Sequence, residues 1–353
     1  MEQEIINAYK GKTVLLTGHT GFKGSWLAIW LHELGAKVIG FSLPEYDNMY
    51  VFEKTKLEEK IVDIRGDVHN LKHLQNIFEK YKPDIVFHLA AQPLVRQSYK
   101  DPMWTFSTNI MGTVNVLECI RNSPSTHAAV IITTDKCYKN KEAIKGYTEE
   151  DELGGHDPYS ASKACAEIVT DAYIKSFFSK SNKFVATARA GNVIGGGDFA
   201  KDRIFSDSIK NLLAKKSIEV RSPKSIRPWQ HVLEPLSGYL MLGEKMLSKD
   251  KKFIGAWNFG PAKSSLISVS EVVSLIIRYW GEGKWVDKSN PNEPFHETGY
   301  LWLVSEKAHN FLGWKSKWPV EKAIQHTVEW YKKSVEIDAY ALCKKQIQEY
   351  SQQ

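Results

Sequence analysis

Tyr159 and Lys163 stand four residues apart, so on a helix they share one face, a single turn from each other. A free tyrosine titrates near ~10 and is a poor base at neutral pH. A lysine ammonium nearby, with a second positive charge in the site, would stabilise the phenolate. Lowering the pKa by ~3 units takes roughly 4 kcal/mol of differential stabilisation, within reach of two close cations in a partly dry site. Such a phenolate can take the proton of a hydroxyl group. The plain alternative is a surface helix that happens to carry a Tyr and a Lys, and the spacing alone arises often by chance. What decides is the context that positions the pair.

That context begins with Thr13–Trp30. Val14, Leu15 and Leu16 form a short apolar run of buried-strand type, and Gly18, Gly21 and Gly24 follow at spacings of three. From Phe22 apolar residues recur at helical intervals through Trp26, Leu27, Ile29, Trp30 and Leu34. Strand, glycine turn and helix open a dinucleotide-binding βαβ unit. The turn must be tight, backbone N–H groups must reach a diphosphate with no Cβ between, and the helix N-terminus must face the negative charge. An ordinary strand-to-helix turn is the competing reading. With a dinucleotide in place, its oxidised nicotinamide supplies the second positive charge beside Tyr159.

Further strand signals follow. Lys37–Phe41 reads as the second strand, but Ser42, Leu43 and Pro44 succeed it and no acid appears before Glu45, so the strand leaves NAD against NADP open. Arg65–Val68 closes a third strand, with Asp67 placed to contact the adenine edge and also to cap a helix at His69–Lys80, two roles that do not exclude each other. Pro83–Ala91 is a fourth strand whose end, Leu89, Ala90 and Ala91, is small enough for a cofactor to lie against the backbone. A loop over 92–102, a long helix through Thr108–Thr113, a fifth strand at Val130–Thr133 and a loop over 140–156 come next. Asp157-Pro158 starts the helix of Tyr159 and Lys163, which runs to Phe178, and Phe184–Ala188 is a sixth strand. Alternation of this kind predicts an α/β fold, a Rossmann-type doubly wound parallel sheet. Beyond Arg189 the elements shorten and prolines gather, predicting a dinucleotide-binding domain over 1–188 and a smaller mixed α/β substrate-binding region over 189–353, with the chain free to cross back between them.

Composition narrows the function classes. With 25% charged and 42% hydrophobic residues the 353-residue chain suits a soluble globular protein, and a scattered net charge of +6 gives no basic block for nucleic acid. No apolar run approaches transmembrane length, and the first residues lack the basic-then-apolar order of a signal peptide, so a cytoplasmic protein with no membrane partner is expected. Cys119, Cys137, Cys165 and Cys343 are too few and too far apart for a disulfide framework or a metal knuckle. His69 and His73 lie four apart with no third ligand near, which predicts a surface helix and no metal.

The ordered motifs Gly18-x-x-Gly21-x-x-Gly24, Asp67-Val68, His88-Leu89-Ala90-Ala91, Asn109 and Tyr159-x-x-x-Lys163 resemble the extended short-chain dehydrogenase/reductase family over nearly the whole chain. Within it, Thr134-Asp135 after the fifth strand is similar to the nucleoside-diphosphate-sugar 4,6-dehydratases. His19–Trp26, Thr134–Tyr138, Gly154–Ser160, Ala190–Asp198 and Arg227–Pro235 resemble the branch acting on CDP-glucose. The resemblance implies NAD as cofactor, held by Gly18, His19, Gly21, Phe22, Lys23, Gly24, Asp67, Val68, Leu89, Ala90, Ala91 and Asn109 together with Tyr159 and Lys163.

It implies a mechanism too. Tyr159 takes the sugar 4-hydroxyl proton while hydride passes from C4 to NAD, the 4-ketone acidifies C5, and water leaves across C5–C6 with Asp135 as acid. The hydride then returns to C6. Thr134 would bond the 4-oxygen, or merely the backbone at a strand end. Lys136 replaces the glutamate of other branches and would either take the C5 proton as a neutral amine or steady the enolate as a cation. Asn192, Arg203, Arg227, Gln230, His231 and Tyr300 would hold the nucleotide sugar, since guanidinium forks fit phosphate oxygens. The family dimerises through helices like those holding Thr108–Cys119 and Tyr159–Phe178, so a homodimer or homotetramer is expected, serving deoxysugar and O-antigen synthesis. The alternatives are a dehydratase or 4-epimerase for another nucleotide sugar, and a catalytically silent dinucleotide sensor, which would commonly lack the Tyr or Lys.

Overall fold

A computed structural model describes residues 2–44, 50–141, 145–200, 202–289 and 300–353. Glu45, the first acid after the second strand, lies outside them, as do residues 142–144 of the predicted loop. From the glycine loop outward the chain runs β1 (Thr13–Thr17), α1 (Phe22–Glu33), β2 (Lys37–Ser42), β3 (Val62–Arg65), α2 (Leu71–Tyr81), β4 (Ile85–His88), α3 (Gly112–Asn122) and β5 (Ala128–Ile132). There follow α4 (Pro158–Tyr173), β6 (Phe184–Ala190), α5 (Ile204–Leu213), α6 (Leu233–Leu247), β7 (Gly255–Phe259), α7 (Val269–Trp280), α8 (Val320–Lys333) and α9 (Ala339–Ser351).

The seven strands form one sheet in the order β7-β6-β5-β4-β1-β2-β3, every neighbouring pair parallel. The inner strands are buried on both faces, which is why they read as unbroken apolar runs rather than alternation. In β1, Val14 and Leu16 point into one core, with Trp26, Leu236 and Trp330, while Leu15 points into the other, with Ile39, Leu74 and Leu117. Helix α1 is buried almost all round. It must therefore be sandwiched, and α9 covers it, Trp30 and Tyr350 meeting edge to face at 5.9 Å.

Capping fixes where the functional helices start. Asp157 accepts the Ser160 N–H at 3.0 Å and Pro158 opens α4. At α2 the cap is Asn70, which accepts from His73 N at 3.0 Å. The capping role for Asp67 is thereby corrected: its carboxylate accepts the His69 N–H at 2.9 Å within the approach loop instead. The helix through Thr108 and Asn109 starts at Pro102 and passes through a π-helical turn, Ser107–Met111, before continuing as α3. Strand β7 goes beyond the six strands expected from the sequence and adds an edge beside β6. No helix among the described residues is long and apolar enough to cross a membrane.

Candidate active site

Strand β1 lies between β2 and β4, so the chain leaves the centre toward β3 and returns on the other side. The carboxyl ends of strands at such a reversal diverge and leave a crevice. A cleft of about 980 Å³ opens there, lined by Gly18, Gly21, Phe22, Lys23, Gly24, Asp67, Val68, Leu89, Ala90 and Ala91 among others. Gly18 sits at φ +75°, where a Cβ would come within 2.7 Å of Ala90 N. A Cβ on Gly24 would meet Gly18 O at 2.0 Å, so the turn closes only on glycine. Gly21 caps α1 without a side-chain hydrogen bond, leaving the first N–H groups of the helix available to an anion. Those features fit the diphosphate of a dinucleotide. Beneath them Thr17 Oγ1 accepts from Ala90 N at 3.2 Å and lies 2.7 Å from His88 Nδ1. Burial and the charge of Lys163 hold His88 down to about 3, so this brace is uncharged.

Two residues expected at the cofactor are turned elsewhere. His19 is wholly buried, its Nε2 2.8 Å from Asp63 Oδ1 and its Nδ1 3.0 Å from Ser42 Oγ. Its ring occupies space left by Gly40, where a Cβ would lie 2.4 Å from His19 Cδ2, and so it ties β2 to β3 instead of facing phosphates. Asn109 is buried too, giving Nδ2 to Ser162 Oγ at 2.8 Å and Gln92 O at 3.1 Å while accepting Gln92 N at 2.8 Å. It fastens the helix pair behind the cleft. Among the described residues, the end of β2 offers the cleft Ser42 and Leu43 and no acid.

At the inner end Thr134, Asp135, Lys136, Tyr159 and Lys163 converge on the same cleft. A short 3₁₀ turn, Asp135–Cys137, follows β5 and is capped by Thr134, whose hydroxyl accepts Lys136 N at 3.4 Å and donates to Asp135 Oδ1 at 2.9 Å. Tyr159 faces this group, with the Thr134 hydroxyl near enough to favour its phenolate. Burial pushes its phenol up to about 12, offset only in part by Thr134 and the charge of Arg203. The chain alone therefore does not make the phenol acidic, and the second positive charge is still needed. Lys163 gives its ammonium to Ile132 O at 3.0 Å, and burial pulls it down to about 8 against the charge of Glu167. The lowering of Tyr159 falls to the second cation, the one a bound oxidised cofactor would bring. Lys23 lines the same space and is brought to about 8 by burial and Arg203.

Asp135 Oδ2 is buried with no hydrogen-bond partner among the described residues. Burial raises its carboxyl above the usual range, Lys136 and Thr134 acting the other way. The room in front of that oxygen exists because residue 191 is glycine: a Cβ there would stand 2.8 Å from Oδ2. Gly191→Ala should accordingly lower kcat roughly tenfold or more, about 1.4 kcal/mol of transition-state stabilisation. Steady-state rates compared with melting curves check this, the melting temperature being expected to move little.

On the outer side Asn192, Arg203, Arg227 and Trp229 line the cleft. Arg203 reaches it while paired with Asp198 at 2.7 Å, and the charge of Arg227 is felt at Asp135. Gln230 and His231 are not brought there. They form a short buried strand against Val193–Ile194, Gln230 donating to Phe259 O at 3.0 Å and His231 packed between Trp26 and Trp318, with ring centroids 5.9 and 4.9 Å away. Tyr300 is half-buried and does not line the cleft, although Leu301 does. Lys210 and Arg221 add cations to the outer wall, and no local spacing in the sequence marked them.

Residues 15–327 match the GDP-mannose 4,6 dehydratase family. The chain is 43% identical over 351 residues to a CDP-glucose 4,6-dehydratase of Salmonella typhimurium, covering 98% of this chain and 97% of that one. Its fold is similar to dTDP-glucose 4,6-dehydratase from Bacillus anthracis in complex with NAD (TM-score 0.75, 24% identity, 92% of this chain and 97% of that chain). It is also similar to UDP-glucose 4-epimerase from Thermotoga maritima with UDP-glucose (TM-score 0.79, 21% identity, 92% of this chain and 100% of that chain).

Proposed function

The chain belongs to the GDP-mannose 4,6 dehydratase family, and from that premise we propose that it is a CDP-glucose 4,6-dehydratase. It converts CDP-D-glucose to CDP-4-dehydro-6-deoxy-D-glucose and water, with NAD as its resident cofactor. The observation that carries this reading is the near-full-length relation to the Salmonella enzyme.

NAD, when bound, supplies a reversible acceptor for the hydrogen at sugar C4. Gly18, Gly21, Phe22, Lys23 and Gly24 would hold its diphosphate, Asp67 and Val68 its adenosine, and Leu89, Ala90 and Ala91 the strand side, with Tyr159 and Lys163 at the reactive end. Tyr159 takes the O4 proton, and Thr134 steadies O4. Asp135 gives a proton to the departing 6-hydroxyl, and Lys136 stands where the C5 proton must be handled. The region from 189 onward holds the nucleotide, Asn192, Arg203 and Arg227 facing its phosphates.

Incubation with CDP-, dTDP-, UDP- and GDP-sugars, read by the 4-keto chromophore in alkali, tests the assignment. Strong signal from CDP-glucose alone is expected. Preference for another nucleotide would make the chain a dehydratase of that sugar, and silence with all of them would favour the sensor. Free Cys119, Cys137, Cys165 and Cys343 accord with reaction in the cytoplasm.

The working unit is a homodimer. Met103, Met111, Ile168 and Phe177 are exposed at 82%, 51%, 55% and 48% on neighbouring helical segments, a cluster of bare apolar side chains that a second copy would cover. Each such side chain, once buried, contributes about 1.5–3 kcal/mol. Joint Met103→Asp and Ile168→Asp replacement should weaken self-association roughly 100-fold or more. Analytical ultracentrifugation reads this directly, and a monomeric unmodified protein would refute the dimer.

A further inference from the structure

Behind the catalytic pair lies a buried ion pair that the chemistry above leaves unused. Glu167 is one turn beyond Lys163, so Tyr159, Lys163 and Glu167 run along one face of α4 at steps of four. Its carboxylate meets Arg189 Nη2 of β6 at 2.8 Å, both side chains only 3% exposed. Oε2 also accepts from Thr187 Oγ1 at 2.7 Å, and Oε1 accepts from Thr133 Oγ1. Arg189 Nη1 in turn donates to Tyr138 Oη at 2.6 Å, and Tyr138 donates to Asn258 Oδ1 of β7 at 2.8 Å. Thr133 and Tyr138 are the residues on either side of 134–137. The network therefore grips both ends of the turn that carries Asp135 and ties them to the helix that carries Tyr159.

Burying an ion pair is a poor route to stability, because desolvation offsets most of the attraction and apolar residues of similar volume often do as well. A fully bonded pair does fix geometry. We propose that Glu167 is a positioning residue of the dehydratase reaction, setting the turn 134–137 against Tyr159 and Lys163 through Thr133 on one side and Arg189 and Tyr138 on the other. The inference rests on the reading that those residues carry the reaction.

Glu167 is also the carboxylate whose charge acts on Lys163, holding its pKa up against burial. The other titratable groups coupled to that ammonium are Cys137 on the turn, His88 on β4 and Lys23 on α1, and burial already holds it down to about 8. Removing the carboxylate lowers Lys163 further, so the ammonium is lost at lower pH and the alkaline limb of the kcat profile moves down.

Glu167→Gln keeps the shape and removes the charge. Its kcat should fall between tenfold and ~100-fold, as expected for misplaced catalytic groups, with KM little changed and the alkaline limb shifted to lower pH. Tyr138→Phe leaves the Glu167–Arg189 pair in place and cuts only the second arm. It should lower kcat without moving that limb, and it decides the matter if Glu167→Gln does not fold. Amide exchange over residues 134–138 needs no substrate and should quicken in both variants. Unchanged exchange overturns the positioning role whatever the protein does to CDP-glucose, and an unmodified kcat and pH profile in folded Glu167→Gln overturns it as well.

Discussion

Tyr159→Phe is expected to reduce turnover of CDP-glucose by about 10³-fold, within the range for loss of a positioned acid–base group, while the protein still folds and binds cofactor. Only one hydroxyl is deleted, from a ring that is 9% exposed and closely packed. Its neighbour Thr134 keeps the bond to Asp135 at 2.9 Å, so no buried donor is stranded. The kinetic loss should be accompanied by a change in pH dependence. Burial alone holds the phenol up at about 12 and a bound oxidised cofactor would bring it down, and in either state the share of reactive phenolate grows as pH rises. The rate of the unmodified enzyme should climb with pH until Lys163, at about 8, begins to lose its proton. On the proposed role of Tyr159, that rising limb should vanish in Tyr159→Phe. Product formation followed by NMR across pH, with melting temperatures for each protein, tests both parts. Residual activity within tenfold of the unmodified enzyme, with the rising limb intact, would transfer the base role to another group.

The sheet was legible because parallel strands buried on both faces leave continuous apolar runs, as at Val130–Ile132 and Phe184–Ala188. Strand β7 was not. Gly255–Phe259 is short, bounded by glycines and carries Asn258, and the strand it pairs with, β6, lies far back in sequence, beyond two helices. The site shows the same division. Gly18, Gly21 and Gly24 and the step from Tyr159 to Lys163 are local patterns, and local patterns set which backbone approaches and which face a helix presents. Motif order does not say which way a side chain turns. His19 swings from the cleft because Gly40, on the neighbouring strand, leaves room for its ring. Gln230 and His231 sit beside the cleft-lining Trp229 yet are drawn inward by Phe259, Trp26 and Trp318. Glu167 was within sight as the next step of four after Lys163. Its meaning came only with Arg189, supplied by a strand from the far side of the helix.

Asp135→Asn separates the loss of water from the steps before it. The carboxyl is 3% exposed, with Oδ1 bonded to Thr134 and Oδ2 facing the space kept by Gly191. Burial raises its pKa, so it holds its proton to higher pH than an exposed aspartate, and a held proton is what a departing hydroxyl requires. Asparagine keeps the size and an acceptor for Thr134 and has no acid proton to give. Release of water should fall by about 10²–10³-fold. Exchange of the C5 hydrogen with solvent deuterium, which needs only the earlier steps, should continue and is visible by NMR of recovered sugar nucleotide. Stability carries its own signature. A carboxyl whose folded pKa lies above its unfolded value binds more protons in the native state, so its presence destabilises the fold increasingly as pH rises from ~4 toward the raised value. Asp135→Asn lacks that penalty, and its melting temperature should gain on the unmodified protein from acid to neutral pH. If C5 exchange disappeared together with water release, Asp135 would act earlier in the sequence than assigned. If the product still formed at a normal rate, the proton for O6 would have to come from elsewhere in the cleft.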